Sequence, residues 1–379
     1  MILYIYYDKI TLLELVIFSI KELEMEKKFR KIGVLTSGGD APGMNAAIKA
    51  VTCAAIDKGV SVVGILGGYS GLINDKTRPL TKLDVADIES KGGTMLYSDR
   101  CDEFKTEEGM QKAIATCKKH NIDGIVAIGG DGTFRGATDL SIRGIPCIGV
   151  SGTIDNDITA TDITVGYDTA MNTVLSIGDK LRDTSESHAR CMVMEVMGRH
   201  AGYIAIETGL ALNAIGVAIN EIPFDKEALF KKITEARSNG QRSFMVIVAE
   251  GLGTEFSEEL TKEIERNTGV ESRFVRPGHI VRGGIPTLVD RNFASKSGYK
   301  AVSLLLDGVS DVVICSRHDE IVSMEIKFAL ILDRMYKGKL KDGDLDKFTP
   351  EQIKEMEDIC AERRKYFTDM YEVVNGVGC

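Results

Sequence analysis

The 379-residue chain has no C-x-x-C pair, although cysteine occupies positions 53, 101, 117, 147, 191, 315, 360 and 379. Lacking metal or redox spacing, these read as free thiols of a reducing cytoplasm. The five histidines are isolated, which excludes a zinc constellation. Basic residues are in deficit, 47 Lys and Arg against 56 Asp and Glu, so no global basic field favours nucleic acid. Long hydrophobic runs are also missing. Met1 to Ile20 is apolar, but Asp8, Lys9 and Glu14 interrupt it too often for a membrane span. It has neither the basic n-region nor the small-residue cleavage site of a signal peptide. No short repeat or low-complexity segment appears.

What is present is ordinary globular composition, 44% hydrophobic and 27% charged, at a length that suggests two domains with a core in each. Residues 1–24 read as an upstream extension of the reading frame, with a short amphipathic helix as the alternative, because Met25-Glu-Lys-Lys-Phe-Arg30 looks like a natural start just before the first strand.

Apolar runs alternate with helical periodicity. Strands are expected at Lys31–Thr36, Val60–Leu66, Asp123–Gly129, Pro146–Val150, Arg190–Met197, Ile215–Ile219 and Phe244–Ala249. Helices are expected from Met44, over Asp84–Lys91 and Thr106–His120, from Phe134, over Gly166–His188, near Asp225–Asn239 and Ser257–Thr268, and over Thr287–Leu306. This alternation predicts an α/β protein: two doubly wound, Rossmann-like domains with mainly parallel sheets and the active site in the cleft between them. The expected division is 30–166 with 280–330 as a larger domain and 167–279 as a smaller one. The charged segment 331–379 reads as a peripheral helical tail, with Lys337–Asp346 a solvated loop.

Three loops carry the chemistry. Ser37-Gly-Gly-Asp-Ala-Pro-Gly43 lies between a strand and a helix, the layout that aims backbone N–H groups at phosphate, although such glycines also serve plain turns. Gly129-Gly-Asp-Gly-Thr133 repeats that layout and adds a carboxylate able to hold Mg²⁺. Ser151-Gly-Thr-Ile-Asp-Asn-Asp157 puts two carboxylates at a strand's carboxyl end, where open α/β sheets bind ligands. One of the two could take a proton from a substrate hydroxyl; a polar turn is the plainer alternative. Arg273, Arg276, His279 and Arg282, packed before Gly283-Gly284, suggest a phosphate clamp in an acidic protein.

Thr36-Ser-Gly-Gly-Asp-Ala-Pro-Gly-Met-Asn45, Ile128-Gly-Gly-Asp-Gly-Thr133, Gly152-Thr-Ile-Asp-Asn-Asp157, Glu195-Val-Met-Gly-Arg199 and Gly278-His-Ile-Val-Arg-Gly-Gly284 together resemble the bacterial-type 6-phosphofructokinase family, from about Lys31 to about Leu306. The resemblance implies a nucleotide-binding role for the larger domain, 30–166 with 280–330, and a sugar-phosphate-binding role for the smaller, 167–279. It also implies transfer of a phosphoryl group from ATP to the 1-hydroxyl of fructose 6-phosphate, with Asp155 as base and Asp157, Thr153 and Arg199 beside it. Mg²⁺ would sit on Asp131, and ATP on Gly39, Arg100, Cys101, Gly130, Asp131, Gly132 and Thr133. The sugar phosphate would be held by Thr153, Ile154, Asp155, Arg190, Met197, Gly198, Arg199, Glu250, Arg273, His279, Ile280, Val281 and Arg282. Arg190 and Arg273 would act across a subunit boundary, which implies a homotetramer.

Some positions depart from that family. Val281 and Ile285 stand where Gln and Ser are usual, and Val312–Ile326 matches poorly. At the family's effector site Arg182 is retained, but Lys49, Cys53 and Ile215 replace two arginines and a metal-binding glutamate, so control by ADP or phosphoenolpyruvate is expected to be weak or altered. A pyrophosphate-dependent relative would carry Asp at 132 and Lys at 152, and both are glycine here. A non-catalytic regulatory or sugar-phosphate-binding subunit would be expected to have lost Asp131, Asp155 or Arg199, and all are present.

Overall fold

The structure is a computed structural model that describes residues 29–378; the segment 1–24 lies outside them. In chain order, β1 (Lys31–Ser37), α1 (Met44–Asp57), β2 (Ser61–Ile65), α2 (Gly68–Ile73) and β3 (Thr77–Leu80) come first. Next are α3 (Glu107–His120), β4 (Gly124–Gly129), α4 (Asp131–Ile142), β5 (Cys147–Ser151) and α5 (Tyr167–His188). Then come β6 (Cys191–Val196), α6 (Tyr203–Ala211), β7 (Gly216–Ala218), α7 (Lys226–Ser238), β8 (Phe244–Ala249), α8 (Thr254–Thr268) and β9 (Ser272–Val275). The last are α9 (Leu288–Leu306), β10 (Val312–Arg317), β11 (Glu320–Glu325), α10 (Ile326–Tyr336) and α11 (Pro350–Val377).

One sheet has seven strands in the order β11-β10-β5-β4-β1-β2-β3; the other has four, in the order β7-β8-β6-β9. Neighbours in the smaller sheet are all parallel. β4 is buried at every position, which is why Gly-Ile-Val-Ala-Ile-Gly reads as an unbroken apolar run rather than an alternation. One apolar cluster joins the two sheets, running from Val126 and Ile148 past Val174 on α5 to Met194 and Ile247. Asp290 on α9 fixes the start of α5, accepting from Gly166 N at 2.8 Å, Thr169 N at 2.8 Å and Thr169 Oγ1 at 2.5 Å.

Two expectations need correction, on the helix at 84–91 and on the C-terminal segment, whereas the sheet pairing is as expected. The larger sheet is mainly parallel, with antiparallel pairing only at its two edges, where β3 and β11 run against β2 and β10. The β10–β11 hairpin turns on His318 and Asp319, both at positive φ, the left-handed geometry a tight hairpin requires. The helix expected over Asp84–Lys91 is instead a run of turns ending in a short 3-10 segment, Ile88–Ser90. Asp84 draws Thr81 N and Oγ1 to its carboxylate at 2.8 and 2.6 Å, and such side-chain bonds compete with helix.

The C-terminal segment is not peripheral. In α11, Met356, Ile359 and Cys360 join the core that covers one face of the larger sheet, while Phe367 and Val374 join the cluster containing Tyr203 and Val217. Spacings of three, four and seven residues align these side chains on one stripe beneath a highly charged exterior. Thr349 and Gln352 close a capping box around Pro350, which starts the helix cleanly.

Candidate active site

β1 and β4 lie side by side, and the strands that follow them spread in opposite directions, so a crevice opens at their carboxyl ends. The loops after β1, β4 and β5 meet there. Gly129 permits the closest approach: a Cβ on it would fall 2.3 Å from Thr133 Oγ1 and 2.4 Å from Ser37 O. Thr133 ties two loops by donating to Ser37 O at 3.0 Å, and its own carbonyl accepts from Tyr69 OH at 2.6 Å. At Gly130 and Gly132 an added Cβ would meet nothing within 4 Å. These residues leave an open cradle at the N-terminus of α4, whose first residue is Asp131. Asp131 pairs with Arg135 one turn on, at 2.7 Å, and remains partly exposed.

The loop after β5 supplies Asp155, which is 2% exposed. Its Oδ2 accepts from Thr153 Oγ1 at 3.3 Å and pairs with Arg199 Nε at 3.1 Å, whereas Oδ1 is buried without a partner. Burial, reinforced by the charge of Asp157, raises its pKa from 3.8 to about 6, against the opposing pull of Arg199 and Arg282. A buried, partly unpaired carboxylate facing a cleft is poised to accept a proton.

The smaller sheet contributes the opposite wall. Arg199 follows β6 through Gly198 and has a φ of 53°, strained for a side chain of its size. Glu250, just past β8, holds that turn by accepting from Gly198 N at 3.2 Å and Arg199 N at 2.8 Å. Arg199 thereby reaches Asp155 and comes within 4.0 Å of Asp157. Glu195 of the same motif is structural: fully buried, it accepts from Ser257 Oγ at 2.8 Å and pairs with Arg276 at 2.9 Å. Arg276 is thereby drawn out of the expected phosphate clamp.

The cleft encloses about 1290 Å³. It brings together Gly39, Arg100, Cys101, Gly130, Asp131, Gly132, Thr133, Thr153, Ile154, Asp155, Asp157, Arg199 and Arg282. Arg282 leans on the first loop, 4.0 Å from Asp40 Oδ1, with its Nε buried and unpartnered. Other expected residues do not line it. Val281 is buried in the core, while His279 and Ile280 are exposed. Arg190 and Arg273 both pair with Glu271, Arg190 at 3.0 Å, and the Arg190 Nε is buried without a partner. Met197 and Gly198 sit behind Arg199 at the end of β6.

Sequence reasoning missed part of the wall. Asn220 and Glu221 line the cleft after β7, and Tyr336, Lys337, Lys339, Arg364, Phe367 and Thr368 line it from the C-terminal segment. The segment 337–346 is the exposed loop expected, and its lysines at 337 and 339 also border the site. Phe367 was legible through its place on the α11 stripe; the lysines carried no such signal.

Residues 31–305 match the family described as Phosphofructokinase. The chain is 49% identical over 311 residues to an ATP-dependent 6-phosphofructokinase of Clostridium tetani, covering 82% of this chain and 97% of that one. It is 49% identical over 313 residues to one from Clostridium botulinum, covering 83% and 98%. Among solved structures, phosphofructokinase from Saccharomyces cerevisiae superposes with a TM-score of 0.77 at 30% identity, over 87% of this chain and 50% of that chain, so this chain spans half its length. A pyrophosphate-dependent phosphofructokinase from Marinobacter aquaeolei, at 21% identity and a TM-score of 0.70 over 79% of this chain and 83% of that one, shares the fold. Matching family, relatives and fold, with Asp155 and Arg199 meeting across a cleft between two mainly parallel sheets, establish that this chain belongs to the phosphofructokinase family.

Proposed function

We propose that the protein is an ATP-dependent 6-phosphofructokinase, transferring the γ-phosphoryl group of ATP to the 1-hydroxyl of fructose 6-phosphate to give fructose 1,6-bisphosphate and ADP in glycolysis. The carrying observation is Asp155, whose Oδ1 is buried, unpartnered and at the mouth of two phosphate-type loops. Asp155 takes the sugar's 1-hydroxyl proton as that oxygen attacks the γ-phosphorus, and the bond from phosphorus to the ADP oxygen breaks. A pKa of about 6 leaves the carboxylate mostly ionised at neutral pH yet still basic enough to accept the proton. Arg199, held by Glu250, orients Asp155 and offsets charge on the phosphoryl group, with Thr153 alongside. The open Gly130–Thr133 cradle and Gly39 receive the ATP phosphates, and Arg100 and Cys101 border them.

The cradle fits Mg²⁺ as well as phosphate, since such ions typically bind through one or two carboxylates completed by phosphates and water. Asp131 would hold it, and when bound it would neutralise charge between the β- and γ-phosphates. Arg282 grips the 6-phosphate together with His279, and a homotetramer places Arg190 and Arg273 at a neighbouring subunit's site. The unpartnered Arg190 Nε and the exposed apolar side chains of Ile280, Ile285 and Leu288 support such an assembly. Ile215 is buried in the small-sheet core and Arg182 donates to Leu212 O, which supports weakened effector control. A cytoplasmic location suits the seven described cysteines, all free. Among the described residues no helix is long and apolar enough to cross a membrane.

The test is a coupled assay with fructose 6-phosphate and either ATP or pyrophosphate, run with sedimentation to establish the assembly. Turnover with ATP and none with pyrophosphate is expected. The reverse donor preference would overturn the assignment of Gly132 and Gly152 as ATP-permissive.

A further inference from the structure

The loop 153–162 bearing Asp155 is irregular yet almost wholly buried. Buried backbone outside helix and sheet must find its hydrogen bonds elsewhere. Some come from the end of β10, where Ser316 O accepts from Asp162 N at 2.8 Å and His318 N donates to Asp162 Oδ2 at 2.7 Å; others come from the C-terminal segment. Arg363 on α11 donates through Nη2 to Thr161 O, pairs with Asp162 Oδ1 at 2.9 Å, and sends Nε toward Thr159 O at 3.4 Å. Its side chain is only 11% exposed. Asp162 passes the restraint on: its carbonyl accepts from Asn156 Nδ2 at 3.1 Å, and Asn156, at a φ of 50°, adjoins Asp155. Lys337, just past the end of α10, donates to Asp157 O at 3.1 Å, and Asp333 on α10 accepts from Thr159 Oγ1 at 2.9 Å. All three side chains lie beyond the residues matched by the family, 31–305.

We propose that Arg363 is a positioning residue for phosphoryl transfer: the α11 guanidinium clamps Thr159, Thr161 and Asp162, and so fixes the register of Asp155 against Arg199. This rests on Asp155 being the base. The planar fork matters because it serves several acceptors on one loop at once, which an ammonium does less well. Helix α11 is a suitable anchor, being buried against the cores of both sheets through Met356 and Phe367.

The test uses the full chain in the ATP-coupled assay, with rates normalised to folded protein by circular dichroism and gel filtration. Arg363→Gln is expected to lower kcat by roughly ten- to a hundredfold, the scale of an ångström-sized misplacement, while the KM values for both substrates move less than about threefold. Arg363→Lys keeps the charge opposite Asp162 and should recover much of the loss, leaving kcat about three- to tenfold down. Should the Gln variant not fold, the Lys variant decides alone. A kcat within about twofold of wild type in the folded variants, or a KM rise that accounts for the whole loss, overturns the proposal. Asp155→Asn is assayed in parallel. If it stays active, the base assignment fails and the clamp with it; if it is inactive while the Arg363 variants are not, only the clamp fails.

Discussion

Replacing Asp155 by asparagine separates what the carboxylate does for catalysis from what it costs the fold. The amide preserves shape and can still accept from Thr153, but it cannot take a proton. Burial and Asp157 lift the Asp155 pKa from 3.8 to about 6. Holding it ionised at neutral pH therefore costs on the order of 3 kcal/mol relative to a chain in which it titrates normally. The variant recovers part of this, so a stability gain of about 1–3 kcal/mol is expected at neutral pH, alongside a fall in kcat of roughly 10²–10⁴. The sign follows from the folded pKa lying above the unfolded one. Both states are protonated below about pH 4, the penalty grows from there to about pH 6, and it is complete above. Urea titrations of both proteins across this range, paired with the ATP-coupled assay, measure both quantities. A kcat within a few-fold of wild type would remove Asp155 as the base. A stability gain that persisted undiminished at about pH 4 would show that buried charge is not its source.

Arg199→Gly removes the guanidinium while keeping a backbone suited to positive φ; kcat should fall by roughly 10²–10³ and its acidic limb should move to higher pH, because Arg199 holds the Asp155 pKa down. A limb that stays put in the kcat–pH profile refutes the pairing. Gly132→Asp puts a carboxylate into open space, so melting should change little while kcat/KM for ATP drops on the order of a hundredfold through charge repulsion; an unchanged KM for ATP would place the phosphates elsewhere. Asp290→Ala strands the amides of Gly166 and Thr169 in the core, and urea unfolding should show a loss of about 2–4 kcal/mol, with less than about 1 kcal/mol contradicting that role.

The sequence by itself determined the α/β alternation, the buried strands and the three loops that line the cleft, since these signals are local. A strand covered on both faces is a continuous apolar run, and two loops that cross closely need glycine where a Cβ would intrude, as at Gly129 between Thr133 and Ser37. Asp155 was legible for the same reason, by its place at a strand end. Tertiary structure alone decided the partnerships. Glu195 sits in a motif yet serves the fold, because strand pairing and α8 bring Arg276 and Ser257 to it. Glu250 supports the Arg199 turn across 51 residues of chain. The charged tail is the helix expected of it, but it joins both cores instead of lying at the periphery, its apolar stripe visible only once seven-residue spacing is weighed above net composition. Local pattern reports the conformation a segment prefers; which buried polar group answers which is settled only when distant segments pack and every desolvated donor must find an acceptor.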